Sequence, residues 1–305
     1  MKRLLLTGAT GFIGRHCLPL LVAGGYEVHA VSSRSSAGSL SDVYWHQADL
    51  LDPAQTATVV ARVKPTYLLH FAWYASSGRY WTSQENLRWV QASLDLLKEF
   101  ARHGGHRVVM AGSCAEYDWR YGHCSEAVTP LAPASLYGVS KHSLQLMLTA
   151  FSQHAEPSSA WGRVFFLFGP HEHPDRLVAY VIRSLLDGQP ARCSRGDQIR
   201  DFLHVEDVAE AFVALLESAA SGPINIASGK PVALREVISA IAETLDRPDL
   251  IQLGALPDRE NDPPVLIADV RRLRDEVGWQ PRYDLEQGIL KTIEWWKTHR
   301  GIGVT

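Results

Sequence analysis

Short apolar runs and longer amphipathic stretches take turns along the first half of the chain. The runs near 2–7, 27–32, 43–48, 66–72, 106–113 and 160–167 are weighted to aliphatic, β-branched and aromatic residues, which predicts strands of a buried sheet. Between them, stretches near 12–23, 53–63, 83–103 and 135–154 carry apolar residues at helical spacing. Alternating strand and helix signals predict an α/β fold with a doubly wound parallel sheet. Right-handed crossovers then bring the strand C-termini to one edge, where ligands bind.

After Phe168-Gly169-Pro170 the rhythm changes. Gly, Pro and Arg become frequent, and helices are predicted near 174–187, 205–219, 233–246 and 284–299, separated by loops. This half reads as a smaller C-terminal lobe. The predicted division is a dinucleotide-binding unit of residues 1–167 plus about 201–227, and a substrate-binding lobe of about 168–200 plus 228–305.

The first run ends in a glycine turn, Leu4-Leu5-Leu6-Thr7-Gly8-Ala9-Thr10-Gly11-Phe12-Ile13-Gly14. Glycines at this spacing permit a tight turn, close approach of backbone to a phosphate, and close packing of the next helix. The open N–H groups at that helix start attract a pyrophosphate. The spacing is G-x-x-G-x-x-G, a variant of the dinucleotide fingerprint. Gly8, Thr10, Gly11, Phe12, Ile13 and Gly14 are therefore expected to cradle the cofactor. Phe71 and Ala72, closing the fourth strand, are expected to touch it too.

The residue ending the second strand distinguishes the two dinucleotides. An acidic residue there binds the ribose 2′-hydroxyl of NAD. Here the place falls on Ser32, followed by Ser33 and Arg34, which would accept a 2′-phosphate with no carboxylate to repel it. The reading favours NADP over NAD. Asp49 and Leu50, ending the third strand, are expected near the adenine.

A catalytic constellation follows. The strand His106-Arg107-Val108-Val109-Met110-Ala111-Gly112 ends at Ser113, and Tyr137 and Lys141 are spaced i, i+4 on a predicted helix, so they share a face. A tyrosine is a poor acid at neutral pH. An ammonium and a positive nicotinamide beside it would favour the phenolate, and Ser113 could hydrogen-bond the reacting oxygen. That is apparatus for moving a hydride while an alcohol oxygen loses or gains a proton.

Composition adds mainly exclusions. A net charge of −3 over 305 residues gives no general pull toward nucleic acid or anionic membrane. No stretch has the apolar length of a membrane span, and the Leu4–Leu6 run stops too soon for a signal peptide, so a cytoplasmic address is expected. Cys17, Cys114, Cys124 and Cys193 form no CxxC pair and suit a reducing compartment. His171-Glu172-His173 is too compact for a metal site, and none is expected.

Together, Thr7–Gly14, Ser113 and Tyr137-Gly138-Val139-Ser140-Lys141 resemble the extended short-chain dehydrogenase/reductases. Arg200-Asp201-Phe202-Leu203-His204-Val205-Glu206-Asp207, Asn225-Ile226-Ala227-Ser228-Gly229 and Gly278-Trp279-Gln280-Pro281 continue the resemblance. It implies a Rossmann-type sheet, an NAD(P) cofactor, a nucleotide-sugar substrate, and a homodimer built on the helices near 83–103 and 135–154. Within the family the set looks like the nucleotide-sugar epimerases, dehydratases and reductases.

The dehydratases carry an Asp-Glu pair directly after the serine or threonine of the active-site strand. Here those positions are Cys114 and Ala115, and Glu116 comes one place late. Neither a thiol nor a methyl does that acid–base work at neutral pH, so dehydration is disfavoured. Reduction of a 4-keto-6-deoxy nucleotide sugar is the favoured reading. An epimerase with tightly bound NAD(P) stands second. A dinucleotide sensor without chemistry should lose Tyr137 or Lys141, and a small-aldehyde reductase would not need the arginines of the second lobe. Arg200 and Arg259 are expected to hold the substrate's diphosphate. Trp73 and Cys114 are expected substrate contacts, and Trp73-Tyr74, Arg79-Tyr80-Trp81 and Trp119 supply aromatic faces for a hexose or nicotinamide.

Overall fold

The apolar runs become one large sheet. In a computed structural model, which describes residues 2–34, 40–154, 157–258 and 262–299, the first half runs β1 (Arg3–Thr7), α1 (Gly14–Ala23), β2 (Glu27–Ser32), β3 (Val43–Gln47), α2 (Pro53–Val63), β4 (Tyr67–His70), α3 (Glu85–Arg102), β5 (Arg107–Ser113), β6 (His123–Cys124), α4 (Leu136–His154) and β7 (Ser158–Val164). The second half runs β8 (Phe166–Phe168), α5 (Leu177–Leu186), β9 (Ala191–Arg192), β10 (Ile199–His204), α6 (Val205–Glu217), β11 (Gly222–Ile226), β12 (Pro231–Ala233), α7 (Leu234–Thr244), β13 (Ile251–Gln252), β14 (Val265–Ala268), α8 (Arg271–Asp275) and α9 (Leu285–Thr298).

Seven strands pair in the order β3-β2-β1-β4-β5-β7-β11, all parallel. Side chains alternate across the central strand, as the pleat requires. Leu4 and Leu6 of β1 point into a layer with Leu18 and Leu21 of α1 and Phe212 and Leu215 of α6. Leu5 points the other way, into a layer with Val60 of α2, Leu96 and Phe100 of α3, and Leu144 of α4. Strand order reverses between β1 and β4, so the crevice beyond their C-termini is the natural ligand site.

The smaller lobe is built on β12-β10-β14-β6, with β8 also pairing β10. Its helices α5, α7 and α9 share an apolar core of Val181, Ile182, Ile238, Ile241, Ile289 and Trp296. The chain crosses between lobes more than once: β6 comes from the first half, and β11 returns to the edge of the large sheet. Asn225 on β11 joins the two sheets, its Nδ2 donating to the carbonyls of Cys124 and Asp269, each at 3.0 Å. Asp201 of the Arg-Asp-Phe stretch is a clamp. Its carboxylate accepts from the N–H groups of Ser228 (2.8 Å), Gly229 (3.0 Å) and Ala268 (3.2 Å), tying β10 to the loop after β11 and to β14. No helix among the described residues is long and apolar enough to cross a membrane.

Candidate active site

The glycine turn sits where β1 meets β4. Gly8 has φ +67°, and a Cβ there would lie 2.8 Å from both the Ala72 nitrogen and the Phe71 carbonyl carbon. A Cβ on Gly14 would collide with the Gly8 carbonyl, so α1 can start this close only with glycine. The Gly11 N–H donates to the Gly8 carbonyl at 2.9 Å and closes the turn. Ile13 takes the N-cap position and provides no side-chain cap, and within the first turn the Arg15 and His16 N–H groups donate to the carbonyls of Gly11 (3.3 Å) and Ile13 (3.0 Å). An uncapped helix start over a glycine turn fits the pyrophosphate of a dinucleotide. Thr10 accepts a hydrogen bond from Arg15 Nη2 through its carbonyl at 2.7 Å, and Phe12 lies in the same turn.

A buried relay pins this crevice. Thr7 Oγ1 lies 2.7 Å from His70 Nδ1, and His70 Nε2 lies 2.8 Å from Ser93 Oγ. Ser93 donates its own hydrogen to the Trp89 carbonyl (2.7 Å), which assigns the proton to Nε2 and lets Thr7 donate to Nδ1. Thr7 Oγ1 in turn accepts from the Ala72 N–H at 3.3 Å. Burial, then the charge of Lys141, pushes the His70 pKa down to about 3, so the ring is neutral. Phe71 packs edge-on against Phe212 at 4.8 Å. The relay has no sequence motif and was not anticipated.

At the outer end of the crevice, Ser32 closes β2, and its hydroxyl accepts from the Arg34 N–H at 3.1 Å. Ser33 and Arg34 are exposed. Asp49 is exposed and caps its own loop by accepting from the Leu51 N–H at 3.0 Å. Leu50 is buried in the sheet's core, so its side chain is spent on packing.

Tyr137, Ser113 and Lys141 meet at the C-terminal end of β5. The Ser113 hydroxyl reaches the Tyr137 phenol, and the Tyr137 N–H donates to the Trp81 carbonyl at 3.1 Å. Lys141 Nζ donates to the Ala111 carbonyl at 2.8 Å and stands 3.7 Å from the centroid of the Trp73 ring. The electrostatics differ from the sequence-based expectation. Burial, reinforced by Tyr80, raises the Tyr137 pKa, against a lowering hydrogen bond from Ser113. Burial lowers that of Lys141 to about 7, against the attraction of Glu116. The lysine is turned toward Trp73 and Ala111, so its charge does not lower the phenol's pKa here. Trp73 meets the lysine with a face of its ring.

Beside Tyr137 stand the rings of Tyr80 (4.8 Å) and Trp81 (5.7 Å), both edge-on, with Trp119 6.0 Å beyond Trp81. Trp119 Nε1 donates to the Cys114 carbonyl at 2.8 Å. The Cys114 thiol is buried among Tyr117, Cys124 and Leu266, and burial raises its pKa, which leaves it a poor proton shuttle. Arg200 is buried, paired with Asp262 at 2.7 Å, its guanidinium 5.3 Å from the Phe166 ring. Arg259 lies outside the described residues, as do Ser35 and Ser36 of the loop after Arg34.

Glu116 does not face this space. Its carboxylate is fully buried, accepting from the Ser113 N–H (2.8 Å), Trp161 Nε1 (2.8 Å) and Arg163 Nε (2.7 Å). Its Trp161 and Arg163 partners come from β7, 45 and 47 residues on, and could not be read from the sequence.

Residues 4–227 match the model of the NAD dependent epimerase/dehydratase family. This chain belongs to that family. A solved structure of MoeE5 with UDP-glucuronic acid and NAD is 32% identical, covers 97% of this chain and 99% of that one, and superposes with a TM-score of 0.85. The dTDP-glucose 4,6-dehydratase of Xanthomonas campestris pv. campestris is 27% identical over 98% of this chain and 94% of that protein. The UDP-glucose 4-epimerase of Rhizobium leguminosarum bv. trifolii is 27% identical over 96% and 97% respectively. As an epimerase/dehydratase family member, the chain has a nucleotide-sugar enzyme's fold. Its buried acid at Glu116 and its tryptophan at position 73 then become the features that set its site apart from a bare Ser-Tyr-Lys arrangement.

Proposed function

We propose that this protein is an NADP-dependent reductase of a 4-keto-6-deoxy nucleotide sugar. The observation that carries the reading is Glu116: with its carboxylate committed to Arg163, Trp161 and the Ser113 N–H, and the Cys114 thiol buried, the proton-handling groups at the end of β5 among the described residues are Tyr137, Ser113 and Lys141. Dehydration needs a further acid and base; reduction does not. The bound dinucleotide would supply the hydride. Gly8, Thr10, Gly11, Phe12, Ile13 and Gly14 would hold its pyrophosphate, with Phe71 and Ala72 beside it and Asp49 and Leu50 near the adenine. Tyr137 would hand its phenolic proton to the carbonyl oxygen, and Ser113 would hydrogen-bond that oxygen. Lys141, turned toward Trp73 and Ala111, would offer its remaining ammonium donors to hydroxyls of the bound ligands.

Ser32, Ser33 and Arg34 support NADP, since no carboxylate stands at the end of β2. Arg200 and Arg259 would hold the diphosphate, in a smaller lobe that serves as the substrate-binding half. Exposed Leu87 on α3 and Val139, Leu146 and Met147 on α4 support a homodimer through those helices. A cytoplasmic location suits four cysteines that are all free thiols.

Epimerisation is the second reading, favoured by relatives named as UDP-glucose 4-epimerases. The experiment is a panel of 4-keto-6-deoxy nucleotide sugars followed by NADPH absorbance. Reduction predicts stoichiometric NADPH consumption with one of them. Sugar interconversion without net consumption would establish the epimerase instead, and dinucleotide binding without turnover of any sugar would point to a sensor.

A further inference from the structure

We propose that Trp73 is the positioning residue for Lys141: its indole face holds the ammonium at the end of β5, and its N–H is anchored to Asn86. The inference rests on the reading that Lys141 serves hydride transfer. Lys141 Nζ is 3.7 Å from the Trp73 ring centroid, well inside cation–π range, and 5.9 Å from that of Trp161. The ring is fixed from its edge. Trp73 Nε1 donates to Asn86 Oδ1 at 2.9 Å. Asn86 is fully buried, and its amide donates to the carbonyls of Tyr80 (2.7 Å) and Ser83 (2.8 Å). The loop from Trp73 to Ser83 is thus tied to the first turn of α3, and the indole cannot rotate away without breaking that tie.

The ammonium needs such a partner. An ammonium has three donors. The Ala111 carbonyl takes one, at 2.8 Å. Among the described residues, the charged and titratable groups beside it include Glu116 on the turn after β5, His70 on β4 and Tyr137 one turn back on its own helix, with Arg163 on β7 behind Glu116. Glu116 attracts it, but that carboxylate is already paired with Arg163 at 2.7 Å. His70 is neutral and hydrogen-bonded to Thr7 and Ser93. Trp73 attracts the cation without taking up a hydrogen-bond direction, which leaves a donor for a hydroxyl of a bound ligand. Because burial brings Lys141 to a pKa of about 7, a modest attraction decides what fraction is charged at neutral pH.

The test is NMR titration of the Lys141 side chain in the full chain, isotope-labelled at lysine, in wild type, Trp73→Phe and Trp73→Leu. Loss of a desolvated cation–π contact should lower the midpoint in Trp73→Leu by about one pKa unit, roughly a tenfold fall in the ratio of ammonium to amine. Trp73→Phe keeps a ring face and should shift it much less. The alkaline limb of the NADPH-oxidation profile should move in parallel. A Trp73→Leu midpoint equal to that of wild type, or equal shifts in both variants, would overturn the proposal. If Trp73→Leu does not fold, biosynthetic replacement of tryptophan by a fluorinated analogue weakens the ring's quadrupole at constant shape, and an unmoved midpoint would again overturn it. The titration needs no substrate. A protein that turns over no keto sugar yet shows the shift refutes the functional reading alone; turnover without the shift refutes this one alone.

Discussion

Glu116 Oε2 lies 2.7 Å from Arg163 Nε, and neither side chain is exposed to solvent. The pair sits directly behind the active-site turn. Glu116 holds the Ser113 N–H, and Arg163 Nη1 passes the network on to the Tyr117 hydroxyl at 3.1 Å and thence to Asn225 at 2.8 Å. A carboxylate three residues from Ser113 is thereby turned away from the end of β5 and made part of the joint between the two sheets.

Breaking that pair should therefore cost stability before it costs chemistry. Glu116→Gln keeps hydrogen-bonding capacity but leaves the Arg163 charge buried and unpaired, which typically costs about 3–5 kcal/mol. Urea unfolding should show a loss of that order. The double variant Glu116→Gln, Arg163→Met should recover part of it, since no orphan charge remains. A Glu116→Gln protein as stable as wild type would mean that the pair is not desolvated.

Tyr137→Phe removes the phenolic proton and leaves the ring edge-on against Tyr80 and Trp81. Turnover should fall by about 10²–10⁴-fold, the usual range for a general acid. Dinucleotide affinity, measured by fluorescence titration, should stay within a few-fold. Near-normal turnover would remove Tyr137 from the mechanism.

The large sheet was legible because its strands are buried on both faces, which writes them as unbroken apolar runs such as Leu4–Leu6. Its helices were legible from their spacing. The smaller sheet was not. Its strands are short, down to His123–Cys124 and Pro231–Ala233, and they pair across distant parts of the chain, so no local period marks them. At the site, Ser113, Tyr137 and Lys141 were visible as types at a spacing. What each touches was not: the turn of Lys141 toward Trp73, the relay through His70 and the capture of Glu116 by Arg163 all depend on residues brought together by tertiary folding.

Cofactor choice should respond to the end of β2. Arg34→Ala should weaken NADPH binding by about tenfold or more and leave NADH nearly unchanged, because a charge-assisted contact to phosphate is worth roughly 1.5–3 kcal/mol. Ser32→Asp should shift preference toward NADH by placing a carboxylate where a ribose 2′-hydroxyl is bound. Equal losses for both dinucleotides on Arg34→Ala would remove the 2′-phosphate argument.

Two buried groups should bend the stability profile from opposite sides. His70 stays neutral in the fold down to about pH 3, whereas an unfolded imidazole protonates near 6.5. Between those values the unfolded chain binds more protons, so its contribution is lost as pH falls, at up to about 1.4 kcal/mol per pH unit. Glu172 behaves in the reverse sense. Burial raises its pKa to about 8 from the model-compound value of 4.5, so the fold keeps a proton that the unfolded chain releases. Its contribution is complete below pH 4.5 and is lost as pH rises toward 8. Glu172→Gln carries no proton to lose. In urea unfolding at pH 5 and pH 8, the wild type should lose stability between the two and the variant should lose markedly less. If the two proteins decline in parallel, Glu172 is ionised in the folded state and this assignment fails.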